Sequence, residues 1–229
     1  MENAEGMGQE ADVSVYDALH ATVEQDDGAK GRAVYAGLFQ AMLGLIARRG
    51  VTSVLEVGCG TGLFAELMIN QTGVAYRGFD VSPTGVAYAQ ARLPKAALFV
   101  GDALSPESYR GAFDCIVCSE VLEHIPGDRD AVALWPRGTF CVCSVPNFDY
   151  PTHVRVFRTE QAVRERYGDA LDIQTITRIP ASARAGRPFA EYARRLLWAR
   201  YQPRKMLGML GVNAFDWHAG WFVFAGVRR

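Results

Sequence analysis

Four residues at alternate positions, Glu56, Gly58, Gly60 and Gly62, have types and spacing that suit ligand binding. They follow a β-branched run and precede a run with helical periodicity, so the pattern predicts a strand, a tight glycine turn and a helix. Glycine is needed in such a turn because the backbone takes positive φ and a ligand must approach it closely. The carboxylate of Glu56 favours a cation or a hydroxyl-rich ligand over a pyrophosphate, which it would repel.

The spacing of these glycines also separates two nucleotide-binding patterns. The dinucleotide fingerprint is G-x-G-x-x-G, whereas here Leu63 stands where its third glycine would fall. On this motif alone, a glycine turn in some other α/β protein is the alternative interpretation.

A second carboxylate, Asp80, ends the next predicted strand, at residues 75–80. Ser82 and Pro83 follow it and predict the start of a helix, with the serine as its cap. The neighbouring strand of a doubly wound sheet places Asp80 beside the glycine turn, where a carboxylate can accept both hydroxyls of a ribose. Helix capping by Asp80 is the weaker alternative because Ser82 already has that role.

Two glutamates and two histidines follow the fourth and fifth predicted strands, near the expected ligand crevice. His124 and His153 can each remove a proton from a hydroxyl or an amine near neutral pH. Packing at a helix start is an equally good interpretation of His124. Glu120, Glu123 and His124 stand at i, i+3 and i+4, so a helical turn would bring them to one face. With His153 they offer two carboxylates and two imidazoles, a set suited to a divalent metal.

Four motifs together resemble the class I S-adenosylmethionine (SAM) methyltransferases, including the ubiquinone-pathway O-methyltransferases. The motifs are 56–62, Asp80, Asp102 and 118–124, in the order of that family. The resemblance implies SAM as the cofactor, S-adenosylhomocysteine as its product, and contacts from Asp102 and the backbone of Ala103 to adenine. The cofactor-binding residues that it implies are Glu56, Gly58, Gly60, Gly62, Asp80, Asp102, Ala103 and Ser119.

The residues of the possible metal site resemble those of a second methyltransferase family. The run from Glu120 to His124, followed by His153, is similar to the small-RNA 3′-terminal ribose 2′-O-methyltransferases, whose metal grips the ribose hydroxyls. The loop 150–155 lacks the second histidine of that signature, and many metal-free methyltransferases carry the same run. We therefore predict a site without metal, with His124 and His153 as the catalytic residues, and keep metal binding as the alternative.

The predicted elements indicate an α/β fold. We expect a doubly wound, seven-stranded, mostly parallel sheet with helices on both faces, the Rossmann-like arrangement of class I methyltransferases. Residues 1–30 are expected to form an acidic, partly disordered segment, with the methyltransferase domain at 31–229 and a lid-like insertion at about 181–216. The segment 127–138 is shorter than is usual in the family, which changes that flank of the pocket.

Periodicity gives approximate bounds for several of these elements. It predicts a short helix at 13–23 and an amphipathic helix at 31–49. The last two strands are predicted at 171–176 and 221–227.

Composition describes an ordinary soluble protein. The 229 residues are 49% hydrophobic with a net charge of −1, and they include no membrane-spanning run or signal sequence, so we expect a cytoplasmic location. The cysteine count of five is odd, and Cys115 and Cys118 should point to opposite faces of one strand. These thiols are therefore expected to be buried and reduced rather than zinc ligands or a redox pair.

The function predicted from these observations is methyl transfer from SAM to an oxygen or nitrogen of a small-molecule acceptor. One alternative is a metal-assisted RNA ribose methyltransferase, supported by eight basic residues within 178–205. The other is a non-catalytic SAM-binding subunit. A nucleic-acid partner is not favoured, no membrane partner is expected, and the acceptor and the oligomeric state stay open.

Overall fold

The computed structural model describes residues 10–24, 28–181, 193, 197 and 219–229. Among these residues, the helices are α1 (Val13–Val23), α2 (Ala29–Arg49), α3 (Leu63–Thr72), α4 (Pro83–Arg92), α5 (Asp128–Ala133) and α6 (Glu160–Tyr167). The strands are β1 (Ser53–Val57), β2 (Ala75–Asp80), β3 (Ala97–Val100), β4 (Cys115–Ser119), β5 (Phe140–Pro146), β6 (Leu171–Pro180) and β7 (Gly220–Arg228).

The described strands form one seven-stranded sheet in the order β3-β2-β1-β4-β5-β7-β6. β1 to β5 run parallel, and β7 lies antiparallel to both β5 and β6. This topology confirms the prediction of a mostly parallel, doubly wound sheet. The strand order reverses between β1 and β4, which is the position at which such sheets bind ligands.

Helices cover both faces of the sheet, as predicted. On one face, α2, α3 and α4 contribute buried side chains such as Met42, Phe64 and Ala89. On the other face, the segment around α5 and α6 contributes Trp135 and Tyr167. Because both faces are covered, β4 and β5 are buried along almost their whole length, as is usual for parallel strands.

The five cysteines are all buried and free of disulfides. Cys115 packs into the hydrophobic cluster on one face of the sheet, and Cys118 packs into the cluster on the other. The alternation of side chains along a strand explains this separation. The predictions that the thiols are buried and that Cys115 and Cys118 point to opposite faces are therefore confirmed.

Three expectations from the sequence differ from the structure or lie outside its described residues. The segment 120–125 was expected to form a helical turn, but it is non-helical, and Glu120 has a positive φ of 58°. β6 and β7 are longer than predicted because each gains antiparallel pairing as far as Pro180 and Gly220. The predicted insertion at 181–216 lies almost wholly outside the described residues.

The amino-terminal helix α1 forms where the sequence predicts it and packs against α4. The side chain of Asp12 caps it by accepting a 2.9 Å hydrogen bond from the backbone nitrogen of Ser14. No helix within the described parts of the chain is long and apolar enough to cross a membrane.

Candidate cofactor and acceptor site

The carboxyl ends of the parallel strands open into a cavity of about 940 Å³, and side chains of α1 and α2 complete its lining. This volume lies within the range of small-molecule sites, roughly 300–1,000 Å³. We call one part of it the cofactor end, formed by Glu56, the glycine loop (residues 58–62), Asp80 and Asp102. The other part is the acceptor end, formed by Glu120, His124 and His153 with the adjoining Glu123.

The glycine loop requires glycine for two separate reasons. Gly58, Gly60 and Gly62 all have positive φ, at 73°, 52° and 81°. A Cβ atom on Gly58 would also lie only 2.2 Å from the Cγ2 atom of Val121. Gly62 does not line the cavity, because it faces α4, where a Cβ atom would lie 3.1 Å from the Cβ of Ala89. The loop is therefore a backbone surface that ligand atoms can approach.

Glu56 is buried at the end of β1 and has one partner for its carboxyl group. The Tyr76 hydroxyl donates a 2.5 Å hydrogen bond to its Oε2 atom. Burial raises the pKa of Glu56 to about 8, with a smaller rise from Asp80 and an opposing effect from the Tyr76 hydrogen bond. Near pH 7 the carboxyl group therefore holds a proton readily in the absence of a cationic ligand.

Asp80 bridges the glycine loop and the start of α4. Its Oδ2 atom accepts a 2.8 Å hydrogen bond from the backbone nitrogen of Gly60, and its Oδ1 atom accepts a 2.9 Å bond from the backbone nitrogen of Ser82. Each carboxylate oxygen can accept a second hydrogen bond. Asp80 therefore keeps acceptor capacity for ligand hydroxyls while its orientation is fixed by the backbone.

Asp102 follows β3 and is more exposed than the other two carboxylates. Its Oδ1 atom accepts a 2.8 Å hydrogen bond from the backbone nitrogen of Leu104. Ala103 is buried beside it, and all three residues line the cavity. The end of β3 therefore supplies one oriented carboxylate at the edge of an apolar surface.

Glu120 begins the acceptor end and has an unusual backbone. A non-glycine residue at positive φ is strained, and such strain clusters at functional sites. Its carboxyl group accepts hydrogen bonds from Ser144 Oγ at 3.0 Å and from Trp221 Nε1 at 2.5 Å. Burial raises its pKa to about 8, against the opposing effects of those two donors. Ser119 also lines the cavity, and its hydroxyl oxygen is 3.0 Å from the hydroxyl oxygen of Ser144.

Glu123, His124 and His153 converge beside Glu120. One ligand atom from each lies within 4.8 Å of the other two, and His124 Nε2 is 3.7 Å from Glu123 Oε1. Both carboxyl oxygens of Glu123 are buried without a hydrogen-bond partner among the described residues. Burial, and then the neighbouring Glu120, raise the pKa of Glu123 well above its ordinary value. A buried polar group with no partner is unfavourable unless a ligand forms a hydrogen bond or a coordination bond with it.

The two histidines present the same nitrogen to the cavity. Nδ1 of His124 lies 3.0 Å from the carbonyl oxygen of Thr152, and Nδ1 of His153 lies 3.2 Å from the carbonyl oxygen of Phe148. A carbonyl only accepts, so Nδ1 carries the proton in both rings and Nε2 keeps a lone pair. Burial lowers the pKa of His124 to about 4 and also lowers the pKa of His153. Both rings are therefore neutral at pH 7.

Arg155 holds the turn that carries Glu123 and His124. Its guanidinium donates hydrogen bonds to the carbonyl oxygens of Leu122, Ile125 and Pro126, at 2.5, 2.5 and 2.9 Å. The turn and the segment around His153 are therefore tied to each other, which fixes the spacing of the two histidines.

Aromatic side chains surround the acceptor end, and we call them the aromatic wall: Tyr16, Tyr35, Phe148, Tyr150 and Trp221. Tyr35 and Trp221 have ring centroids 5.5 Å apart, and Tyr16 meets the edge of His124 at 5.8 Å. Such rings provide a flat apolar surface beside the buried polar groups.

The structure brings the predicted site residues to this one cavity, with the exceptions of Gly62 and, in the alternative metal set, Glu123, which adjoins it. Sequence analysis missed His20 and three members of the aromatic wall, Tyr16, Tyr35 and Trp221. These residues come from α1, α2 and β7, so no local motif marks them. The 3.0 Å contact of His20 with Ser82, 62 positions away, shows why periodicity alone could not place α1 over the cavity.

Part of the chain is similar in sequence to known methyltransferases. A family model described as a methyltransferase domain matches residues 54–135. The ubiquinone biosynthesis O-methyltransferase of Thiobacillus denitrificans is 36% identical over 89 residues, covering 37% of this chain and 38% of that protein. Norajmaline N-methyltransferase of Rauvolfia serpentina is 29% identical over 111 residues, covering 46% and 38%. The chain thus matches about two fifths of the length of these relatives.

Solved structures show the same fold over nearly the whole chain. The [4+2]-cyclase SpnF superposes with a TM-score of 0.68 at 18% identity and covers 99% of both chains. The N-methyltransferase NodS from Bradyrhizobium japonicum, solved with S-adenosylhomocysteine, has a TM-score of 0.61 at 19% identity and covers 92% of this chain and 97% of its own. Residues 54–135 therefore match a methyltransferase domain, and the chain shares its fold with methyltransferases of known structure. Because a cyclase shares the fold, the fold alone does not define the reaction.

Proposed function

We propose that this protein transfers a methyl group from SAM to an oxygen or nitrogen of a small-molecule acceptor. The observation that carries the proposal is the cavity itself, in which a glycine loop and Asp80 face one end and two neutral histidines face the other. SAM supplies the electrophilic methyl group, so the protein has to position the acceptor and remove its proton.

The cofactor end fits SAM in several respects. The glycine loop lines the cavity with residues 58–61, and the absence of a side chain on Gly58 lets Val121 pack against the loop. Glu56 offers a buried carboxyl group to the cationic amino-acid part of the cofactor, and Asp80 offers free acceptor capacity to the ribose. Asp102 and Ala103 stand at the end of β3, where the family resemblance places the adenine. The relative NodS binds S-adenosylhomocysteine, which supports the same ligand here.

The acceptor end supports proton removal from an acceptor hydroxyl or amine. His124 and His153 are neutral, and each directs the lone pair of Nε2 away from the carbonyl that holds Nδ1. Either nitrogen can therefore take the proton that the acceptor loses. The aromatic wall favours an acceptor with a flat apolar part.

The same residues also support a divalent cation at the acceptor end, the alternative that sequence analysis kept. Glu123 has two buried oxygens without a partner in the described structure, and both histidines have Nδ1 fixed by a backbone carbonyl. Fixing one ring nitrogen in this way is the usual arrangement around a metal-binding histidine. Glu123, His124 and His153 would hold the ion, whose charge would make an acceptor hydroxyl more acidic.

Transfer of labelled methyl groups from SAM tests this proposal. Purified protein would be incubated with panels of phenols, catechols and small amines, with EDTA, Mg²⁺ or Mn²⁺ in parallel samples. We expect turnover on at least one class of acceptor, and loss of that turnover in EDTA if the cation is used. Tight S-adenosylhomocysteine binding without turnover on any panel would instead favour a non-catalytic SAM-binding role.

A further inference from the structure

Helix α1 is joined to α4 by polar contacts at two places. Near its middle, the Oδ1 atom of Asp17 accepts hydrogen bonds from the hydroxyl of Ser82, at 2.5 Å, and from the backbone nitrogen of Thr84, at 3.1 Å. At its end, the carboxylate of Glu24 accepts two hydrogen bonds from Nη2 of Arg92, at 2.7 and 2.8 Å. These contacts hold α1 along the cofactor end of the cavity.

The hydrogen bonds at Ser82 define where the protons lie. A serine hydroxyl donates one hydrogen bond and accepts two. Ser82 donates to the carboxylate of Asp17 and accepts from the backbone nitrogen of Gly85 at 2.9 Å. Nδ1 of His20 lies 3.0 Å from the same oxygen, whose proton is already used. Nδ1 must therefore be the donor, and in the neutral imidazole Nε2 is left with a lone pair.

That lone pair lies beside the glycine loop. A Cβ atom built on Gly60 would be 3.4 Å from Nε2 of His20, so the ring passes directly over this residue. His20 lines the cavity, and within the described part of the chain Nε2 makes no hydrogen bond. The imidazole is thus oriented by Ser82 and directs an acceptor toward the ligand space.

His20 and Asp80 approach the same small region from two sides. Asp80 accepts hydrogen bonds from the backbone nitrogens of Gly60 and Ser82, and His20 contacts the same two residues. A ligand hydroxyl held by Asp80 is therefore next to the imidazole. A ribose carries two adjacent hydroxyls, so one can donate to the carboxylate and the other to the ring.

We infer that Nε2 of His20 accepts a hydrogen bond from a ribose hydroxyl of the cofactor, which makes His20 a cofactor-binding residue. The inference rests on the proposed function because it takes the nucleoside of SAM as the ligand. His20 lies outside the matched methyltransferase domain at residues 54–135. The amino-terminal helix therefore contributes to cofactor recognition as well as covering the cavity.

Calorimetry with S-adenosylhomocysteine and its 2′-deoxy and 3′-deoxy analogues tests this contact. The proteins are the wild type and the variants His20→Ala and His20→Phe, the second of which keeps a ring without a nitrogen. We expect both variants to bind S-adenosylhomocysteine about fivefold more weakly, as for one lost hydrogen bond. Removing the contacted hydroxyl should then weaken binding to the wild type about fivefold more than binding to either variant.

Thr22→Ala, an exposed position on the same helix, is the matched control and should change no affinity by more than twofold. An equal loss for S-adenosylhomocysteine and both deoxy analogues in the His20 variants would overturn the inference, because His20 would then act only through helix packing. If the wild type bound no S-adenosylhomocysteine, the inference and the proposed function would both fail. If the wild type bound S-adenosylhomocysteine but removal of either ribose hydroxyl weakened binding equally in the wild type and the His20 variants, only the inference would fail.

Discussion

The two ends of the cavity differ in how their carboxyl groups are satisfied. At the cofactor end, Asp80 is held by the backbone nitrogens of Gly60 and Ser82, and Glu56 is held by the Tyr76 hydroxyl. These partners all come from the loop or the strand next to the carboxyl group. The cofactor end is therefore organised by the protein itself before any ligand binds.

At the acceptor end, fewer of the polar atoms have hydrogen-bond partners among the described residues. Glu123 is buried with two unpaired oxygens in the described structure, and Glu120 has a strained backbone. His124 and His153 direct unpaired nitrogens toward the same space. The difference teaches that the carboxyl groups of the cofactor end are held by protein donors, whereas the acceptor end leaves buried polar atoms that a cation or an acceptor could satisfy.

Gly58→Ala should have the largest effect on the cofactor end. The positive φ of 73° and the 2.2 Å approach to Val121 both oppose a side chain here. We expect a loss of roughly 2–4 kcal/mol in the free energy of unfolding. Cofactor affinity should fall more than about 100-fold, since every 1.4 kcal/mol is tenfold. Urea denaturation and calorimetry measure the two quantities.

Gly73→Ala is the matched control for this change. Gly73 has a similar φ of 67°, but nothing lies within 4 Å of a Cβ atom there. Its cost should be about 1–2 kcal/mol, from the backbone alone, with cofactor affinity unchanged. Equal effects of the two variants on affinity would contradict the proposed role of the glycine loop.

Glu123→Gln should separate the two ends most clearly. The amide oxygen carries no negative charge, so it is a weaker ligand for a divalent cation than a carboxylate. We expect turnover to fall about 100-fold while the affinity for S-adenosylhomocysteine stays within threefold. Glu107→Gln, at an exposed carboxylate that pairs with Arg110, is the control. A fall in affinity as large as the fall in turnover would show that the two ends are not distinct.

Glu56→Gln should change the pH dependence of stability. The pKa of Glu56 is about 8 in the folded protein, against an ordinary value of 4.5, so the folded state holds this proton more tightly. Stability is then lost as pH rises between about 4.5 and 8. The variant should be more stable than the wild type by roughly 2–4 kcal/mol at pH 8.5, and similar to it at pH 5. Urea denaturation at several pH values measures the free energy of unfolding of both proteins. If this free energy changed equally with pH in the variant and the wild type from pH 5 to 8.5, Glu56 would not be a buried neutral carboxyl group.

Glu24→Gln should have the smallest effect. Arg92 would lose the charged partner on α1 but would keep its 3.1 Å hydrogen bond to the carbonyl oxygen of Thr61. We expect cofactor affinity to fall about threefold, with turnover at saturating SAM unchanged. Calorimetry and initial rates provide the two readouts. A fall in turnover at saturation would mean that the ion pair also positions Tyr16 against His124 at the acceptor end.

The cofactor end could largely be predicted from sequence because its signals are local. A strand, a glycine turn and a helix occur in sequence at residues 53–72, and Asp80 ends the adjacent strand. The acceptor end was less predictable. The helical turn expected for Glu120 to His124 is absent, because Glu120 takes positive φ and pairs with Trp221 across 101 positions. Contacts of that kind depend on tertiary packing, which periodicity does not report.

The central claim is that the glycine loop and Asp80 bind the nucleoside and amino-acid parts of SAM. Titration calorimetry of the purified wild type and Asp80→Ala with S-adenosylhomocysteine tests it most directly. We predict saturable binding to the wild type and a loss of affinity of about 100-fold in the variant, the combined effect of two charged hydrogen bonds. No heat from the wild type, or equal affinities for the two proteins, would contradict the account.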